Sequence, residues 1–185
     1  SDTQVDISVS SGTVSISATP KNLELYSKGV KQDGNTFEVG GTAKIVENVI
    51  TIERMVPMDS VKFDIVIENY SNVNVQYRTI VKELEDTGLF PALEVSFSGR
   101  KTNKAEFEGA SSYSDWALIT PNDTDPTTAE PVQTVGVTID FPDGEDQNKY
   151  QNTSCKLVVI VEAVQANADV YSGVAKIGGT AYETL

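Results

Sequence analysis

Histidine is absent from this chain of 185 residues. Zinc-peptidase helices, histidine–carboxylate iron sites and Ser-His-Asp or Cys-His nucleophile pairs all need an imidazole, so the sequence excludes these classes of enzyme. Catalysis by paired carboxylates would remain, but none of the 27 acidic residues stands in a distinctive context. We therefore expect no enzymatic activity and no cofactor. The oxygen-rich segments 122–125 and 143–146 lack the spacing of a calcium loop, which favours solvated loops and no metal site.

Cysteine is nearly as scarce, since Cys155 is the only one. A single cysteine cannot form an intramolecular disulfide, which excludes the small disulfide-stapled secreted folds. The apolar run that follows it, Leu157–Val161, predicts a buried thiol rather than a reactive one.

Basic residues are few and long apolar runs are missing. The chain has 14 Lys+Arg against 27 Asp+Glu, a net charge of -13, which opposes binding to phosphate backbones or anionic lipids. We expect no nucleic-acid partner. Without an apolar run of about 18 residues we also expect no membrane span. The chain opens with Ser1 rather than Met, which is compatible with a mature protein whose leader has been removed, and so with export.

Alternation of apolar and polar residues dominates what is present. It is clearest on either side of the turn-forming residues 69–72, and it predicts two half-buried strands that form a central β-hairpin. A hairpin is only marginally stable alone, so other strands must cover its apolar face. The alternating apolar positions are Val61, Phe63, Ile65 and Ile67 in the first arm and Val73, Val75, Tyr77 and Val81 in the second.

Similar runs recur along the chain with hardly any helical periodicity. Pro20 is expected to break the strand pattern, the segment 82–91 predicts a helical turn, and Trp116 is expected to seal one end of the core. Leu157–Val161 predicts a central strand. Together these patterns predict an all-β fold, an antiparallel β-sandwich or jelly roll of about ten strands with one or two short helical turns, in a single domain over residues 1–185. Residues 168–185 are expected to be a terminal strand or tail.

Residues 1–17 allow two interpretations. Val5, Ile7 and Val9 alternate, and Val14 and Ile16 follow after a turn, which is typical of an edge hairpin of the same sandwich. Alternatively, the first run is a detachable strand that adds to the sheet of a neighbouring subunit.

Three motifs resemble the TasA/camelysin family of exported bacterial matrix proteins. The first is PMDSVKFDIVIEN at residues 57–69, with Tyr77 and Arg78 in the strand that follows. The second is the strand 137–141 followed by Asn148, Tyr150 and Gln151, and the third is EAVQA at residues 162–166. The resemblance covers about residues 38–167. Met58 and Asn152 stand where the family usually has glycine; Met58 favours a type I turn, whereas Asn152 tolerates a left-handed backbone.

The resemblance implies a jelly-roll sandwich, secretion, and assembly into fibres of a biofilm or cell-surface matrix. The partners are then other copies of the chain and other matrix or cell-wall components. Val5, Ile7 and Val9 are the predicted self-assembly residues, because strand addition needs an alternating apolar strand at a free terminus. Part of the family carries a metallopeptidase label, which a chain without histidine does not support.

Two other functions stay open at this stage. A carbohydrate-binding module would use exposed aromatic side chains, for which Trp116, Tyr113, Tyr150 and Tyr171 are the candidates. An adhesin domain could carry a Lys–Asn isopeptide bond, with Lys62 and Glu162 as conceivable members, although the alternation puts Lys62 on a polar face.

Overall fold

The computed structural model describes residues 16–70, 74–106, 109–120, 132–144, 148–166, 174–177 and 180–183. These residues form two antiparallel sheets that pack face to face, which confirms the predicted all-β sandwich. The described part contains fourteen strands rather than about ten; its jelly-roll form stays a prediction. The strands are β1 (Ile16–Ser27), β2 (Val30–Lys31), β3 (Thr42–Val46), β4 (Val49–Glu53), β5 (Asp59–Asn69), β6 (Val75–Asp86), β7 (Glu94–Phe97), β8 (Thr102–Ala105), β9 (Ser111–Ser114), β10 (Ala117–Ile119), β11 (Val132–Asp140), β12 (Ser154–Gln165), β13 (Val174–Ile177) and β14 (Thr180–Glu183).

The first sheet has the strand order β2-β1-β5-β11-β7, and the second has the order β3-β4-β12-β6-β9-β8 with β10 also pairing β6. Among the described strands, β13 and β14 pair with each other, and β13 lies close to β12. Two 3-10 turns, Phe90–Ala92 and Asn148–Tyr150, agree with the one or two short helical turns expected.

The core lies between the two sheets and is built from alternate residues of each strand. Phe63 and Ile65 of β5 are at most 2% exposed, and so are Tyr77 and Val81 of β6. Fully burying one large aliphatic or aromatic side chain stabilises a fold by about 1.5–3 kcal/mol. The alternation therefore fixes which face of each strand turns inward, since a slip by one residue would expose the whole apolar set.

The predicted central hairpin is wrong, although both of its strands exist. β5 pairs with β1 and β11 in the first sheet, whereas β6 pairs with β12, β9 and β10 in the second. The chain crosses between sheets after Asn69 instead of folding back within one. Two successive strands with matching apolar faces can cover each other directly in this way, whereas a hairpin would have left both faces on the same side.

β1 runs through Pro20, which was expected to break the strand. The strand keeps its pairing with β5 on both sides of this residue, and a β-bulge lies between Lys21 and Glu24. Pro20 is tolerated because β1 lies near the edge of its sheet, where the missing N–H costs no ladder hydrogen bond. Asn22 adopts a left-handed backbone within the bulge, with φ 59°.

The helical turn predicted for residues 82–91 is wrong over its first half. β6 continues as a strand to Asp86, and only Phe90–Ala92 forms a 3-10 turn. Lys82 and Glu83 are poor strand formers, but they pair with Val158 and Leu157 of β12. Pairing with β12 has therefore outweighed the low strand propensity of these residues. The strand ends at Asp86, whose carboxylate accepts hydrogen bonds from the backbone N–H groups of residues 88–90.

The turn before β5 is type II, so the type I prediction at Met58 is wrong. Met58 has φ 72°, and the N–H of Asp59 donates to the carbonyl of Val56. Tertiary hydrogen bonds fix the left-handed residue, because its N–H donates to the carbonyl of Phe141 and its carbonyl accepts from Lys28. Asn152, the other residue in a glycine position, has φ 61°, which confirms that asparagine adopts a left-handed backbone there.

Asp59 holds the same turn from its side chain. Its carboxylate accepts hydrogen bonds from the backbone N–H of Val56 and from the hydroxyl of Ser27. Burial raises the pKa of Asp59 despite these two donors, because the charged form is penalised away from water.

Replacing Met58 by glycine should stabilise the fold. Glycine adopts a positive φ without the steric cost of a Cβ, and Met58 is 47% exposed, so little burial is lost. We expect Met58→Gly to raise the free energy of unfolding by about 0.5–1 kcal/mol in urea titrations. Met58→Ala keeps the Cβ and is the matched control, expected within about 0.5 kcal/mol of the parent. Destabilisation by Met58→Gly would contradict the strained turn.

Cys155 is buried on β12, as predicted, and is 2% exposed. Burial, with Asp86 and Glu83 nearby, raises its thiol pKa to about 12. At pH 8 roughly one thiol in ten thousand is then ionised, and only the thiolate attacks disulfide reagents. We expect no labelling of the native chain by an aromatic disulfide reagent at pH 8 over the time in which the guanidinium-unfolded chain is labelled completely. Equal rates in the two states would show that the thiol is accessible.

Candidate assembly site

The predicted donor residues Val5, Ile7 and Val9 lie outside the described residues, because description begins at Ile16. Strand addition also needs a place on the same fold that can receive a strand. Two strands, β12 and β1, have stretches with which no described strand pairs on one side.

β12 is paired along its full length on one side and along half of it on the other. It pairs with β6 from Cys155 to Gln165, but with β4 only from Ser154 to Val158. The turn between β3 and β4 ends this second ladder, since the N–H of Val159 donates to the carbonyl of Asn48 at 2.8 Å. None of the described strands pairs with residues 160–165 on the β4 side. We call this stretch of β12, residues 160–165 on the side where β4 has ended, the β12 slot.

The β12 slot borders the core of the sandwich. Val161 and Ala163 face inward and are 2% and 3% exposed, whereas Ile160 and Val164 point to the other face. A strand lying in the slot would place every second side chain into the same core. An alternating apolar segment is the sequence pattern that such a place accepts.

An ion pair lies on the outer face of the second sheet at this height. Arg78 of β6 is directly opposite Glu162 of β12, and the guanidinium Nη2 lies 3.5 Å from a carboxylate oxygen. Both side chains are only 2% exposed. Removing one member of a buried pair leaves an uncompensated charge, so the pair ties β6 to the half of β12 that borders the slot.

Two aromatic rings cover the arginine. The guanidinium carbon of Arg78 lies 4.9 Å from the ring centroid of Tyr113 and 4.7 Å from that of Trp116. Cation–π contacts of this kind stabilise a desolvated cation by up to about 2 kcal/mol. Trp116 is half-buried over Arg78 and is not part of the main core, so the prediction that it seals one end of that core is wrong.

Tyr77, the neighbour of Arg78, points to the opposite side. Its hydroxyl donates to Gln133 of β11 at 2.5 Å and accepts from Arg100 at 2.6 Å. These hydrogen bonds cross the core from the second sheet to the first. Burial raises the pKa of the Tyr77 phenol, although Arg100 acts in the other direction.

The Arg78–Glu162 pair joins two motifs of the resemblance, but the sequence analysis did not predict their contact. One signal was present, since Arg78 is the single charged residue of the run 75–81, and Glu162, of opposite sign, is the single charged residue of the run 157–165. The two parts of the second motif also contact each other, because Tyr150 packs edge to face on Phe141 with ring centroids 5.3 Å apart.

The outer edge of β1 is a second possible acceptor but is poorly suited. β2 pairs only with Tyr26 and Ser27, so no described strand covers the rest of that edge. Pro20, the bulge after Lys21 and the left-handed Asn22 interrupt it. These are features by which natural edges resist strand addition. The β12 slot has none of them.

The aromatic side chains proposed for carbohydrate binding are engaged elsewhere. Tyr113 and Trp116 contact Arg78, Tyr150 contacts Phe141, and Tyr171 lies outside the described residues. Every aromatic side chain that the structure describes is buried or half-buried.

The isopeptide candidates are far apart in the topology. Lys62 lies on β5 of the first sheet, over the ring of Tyr26, whereas Glu162 lies on β12 of the second. They cannot form one bond, so this pairing is wrong. Among the side chains that are described, no group of three His, Cys, Asp or Glu could hold a metal ion, and no helix there is long and apolar enough to cross a membrane. Segment 122–125 lies outside the described residues.

Comparison with known proteins gives no independent assignment. No protein-family model matches the chain, and no curated protein matches it significantly.

Truncating Arg78 should destabilise the fold strongly. Arg78→Ala leaves the Glu162 carboxylate buried without its cation, and we expect a loss of about 3–5 kcal/mol in the free energy of unfolding. Lys156 and Glu85 form the matched control, because they lie on the same two strands, 3.6 Å apart, but are largely exposed. Lys156→Ala should cost less than about 1 kcal/mol. Similar losses for the two variants in urea titrations would contradict a special role for the buried pair.

Proposed function

We propose that this chain is a secreted structural protein of a bacterial extracellular or biofilm matrix, and that it assembles into fibres. In this proposal, residues 1–9 of one subunit enter the β12 slot of the next. The observation that supports it is the β12 slot, since the β4 ladder ends at Val158 and none of the described strands pairs with residues 160–165 on that side. The TasA/camelysin-like motifs supply the biological setting, and other matrix or cell-wall components are further partners.

The proposed donor matches the slot in length and pattern. A segment of nine residues spans roughly 30 Å when extended, whereas the six residues 160–165 span roughly 20 Å. The donor is therefore long enough to lie along the whole slot. Val5, Ile7 and Val9 would share one face and enter the core beside Val161 and Ala163. Each fully buried aliphatic side chain contributes about 1.5–3 kcal/mol, in addition to main-chain hydrogen bonds.

Such an interface generates a filament. Donor and acceptor are different surfaces of the same chain, so the contact is head to tail, and it continues indefinitely unless its rotation closes a ring. Subunits of net charge -13 repel each other, and salt screens that repulsion. We therefore expect assembly to be faster at about 0.5 M salt than at low ionic strength.

A surface-binding or adhesin-like module is the alternative function. The aromatic residues considered for glycans are packed against Arg78 or Phe141, and the proposed isopeptide pair is separated, so neither version receives support from these residues. The structural role receives more support, because the alternating apolar pattern of residues 1–9 is the pattern that the β12 slot would accept.

The test compares the complete chain with a chain that starts at Ser10, by negative-stain electron microscopy across a range of salt concentrations. We expect filaments only from the complete chain. Circular dichroism melting of both forms shows whether the truncated chain is folded. Filaments of equal length from the folded truncated chain would refute the donor role of residues 1–9.

A peptide of residues 1–9 provides the matching test of the acceptor. Added to the chain that starts at Ser10, it should shift the backbone amide resonances of residues 160–165, and added to the complete chain it should shorten filaments. A control peptide with Val5, Ile7 and Val9 replaced by serine keeps the length and charge but should do neither. Shifts confined to the β1 edge would place the acceptor there and contradict the β12 slot.

A further inference from the structure

A polar groove crosses the outer face of the first sheet, on the side away from the core. It runs over β1, β5, β11 and β7 and encloses about 340 Å³. This volume lies at the lower end of the range of about 300–1,000 Å³ typical of small-molecule sites. No part of the proposed fibre contact uses this face.

Strand register places the polar side chains of the groove in two rows. In one row Glu24, Lys62, Thr138 and Ser96 are cross-strand neighbours on four successive strands. In the other row Asp64 is opposite Gly136, and Asn22 donates to the Asp64 carboxylate at 3.0 Å. The groove is therefore lined by two rows of hydrogen-bonding groups rather than by an apolar patch.

Gly136 lies at the floor of the groove, directly under the Ser98 side chain. Its φ is not positive, so the backbone of β11 does not need glycine for its conformation. An added Cβ would lie 3.0 Å from the hydroxyl oxygen of Ser98, which accepts a hydrogen bond from the Gly136 N–H at 2.8 Å. Glycine at this position therefore lets the turn after β7 approach the backbone of β11 closely, and Ser98 brings its hydroxyl into the groove.

Irregular backbone borders the groove on two sides. At one end lies the β1 bulge with left-handed Asn22, and at the other lies the Ser98-Gly99 turn after β7. Bulges are over-represented next to functional sites because they redirect a side chain. The bulge, the strand glycine and the turn together form a concave surface on an otherwise ordinary sheet face.

The chemistry of the lining selects a neutral ligand rich in hydroxyl groups. Glu24 and Asp64 against Lys62 give a local charge of -1 on a chain of net charge -13, which disfavours anions. No group of three His, Cys, Asp or Glu among the described residues could hold a metal ion here, and each carboxylate keeps acceptor sites beyond its hydrogen bond from Tyr26 or Asn22. A sugar hydroxyl both donates and accepts, so it can pair with carboxylate, ammonium, amide and hydroxyl groups alike.

We propose that the groove over Gly136 binds a short segment of a neutral polysaccharide through hydrogen bonds to Lys62, Asp64, Ser96 and Thr138. This site is distinct from the aromatic residues considered above, and it does not depend on fibre formation.

The experiment titrates the ¹⁵N-labelled complete chain with neutral hexasaccharides, namely β-1,4- and β-1,3-glucan, α-1,4-glucan, chitin and mannan fragments, and with anionic oligogalacturonate. It is run at low salt and low protein concentration, so that the chain remains monomeric. We expect at least one neutral sugar to shift the amide resonances of Lys62, Asp64, Gly136 and Thr138. Oligogalacturonate should bind more weakly.

Two substitutions on the same strand separate the groove from the rest of the sheet. Thr138→Arg fills the groove and should weaken binding at least about tenfold, which is 1.4 kcal/mol. Thr134→Arg introduces the same side chain on the same face of β11, roughly 13 Å away at about 3.3 Å per residue, and should leave affinity within about twofold. Thermal melting checks that both variants are folded.

The proposal is overturned if no neutral sugar binds at millimolar concentration, or if only oligogalacturonate binds. It is also overturned if shifts map around Trp116 instead, or if folded Thr138→Arg binds as tightly as Thr134→Arg. None of these outcomes bears on filament formation, so the two proposals fail independently.

Discussion

The pairing of β12 with β6 is the constraint on which the second sheet depends. These strands form its centre, with their inward side chains in the core and the Arg78–Glu162 pair on the outer face. β4 continues the sheet on one side of them and β9 on the other. Since β4 covers only half of β12, the same pairing also leaves the slot that we assign to assembly. Stability and the assembly site thus share one strand.

The charged side chains on the two outer faces of the sandwich differ in burial. On the second sheet, Arg78 and Glu162 are buried, paired and covered by aromatic rings. On the first sheet, Glu24, Lys62 and Asp64 stay in contact with solvent around a concavity. A buried pair holds strands in place, whereas exposed groups around a glycine remain available to a ligand.

Strand positions were largely predictable from the sequence, because a strand that buries every second residue shows an alternation of apolar and polar residues. The pairing of strands was not, since the same alternation in β5 and β6 fits a hairpin or two facing sheets equally well. Pro20, Met58 and residues 82–86 show a second limit. Each contradicts a local preference, and each is held by hydrogen bonds to residues distant in sequence. The β12 slot and the groove over Gly136 arise from register between strands, which no single segment encodes.

The exchange of strands between sheets also sets the order in which the protein can fold. β6 emerges early, but β12, its long partner, lies far downstream, with the whole of the first sheet's β7 and β11 between them. A chain being synthesised therefore cannot close its second sheet until residue 165 is available, and loop closure over so many residues is slow. Until then, β6 can pair with β9 and β10 but lacks β12, the strand with which it forms its longest ladder.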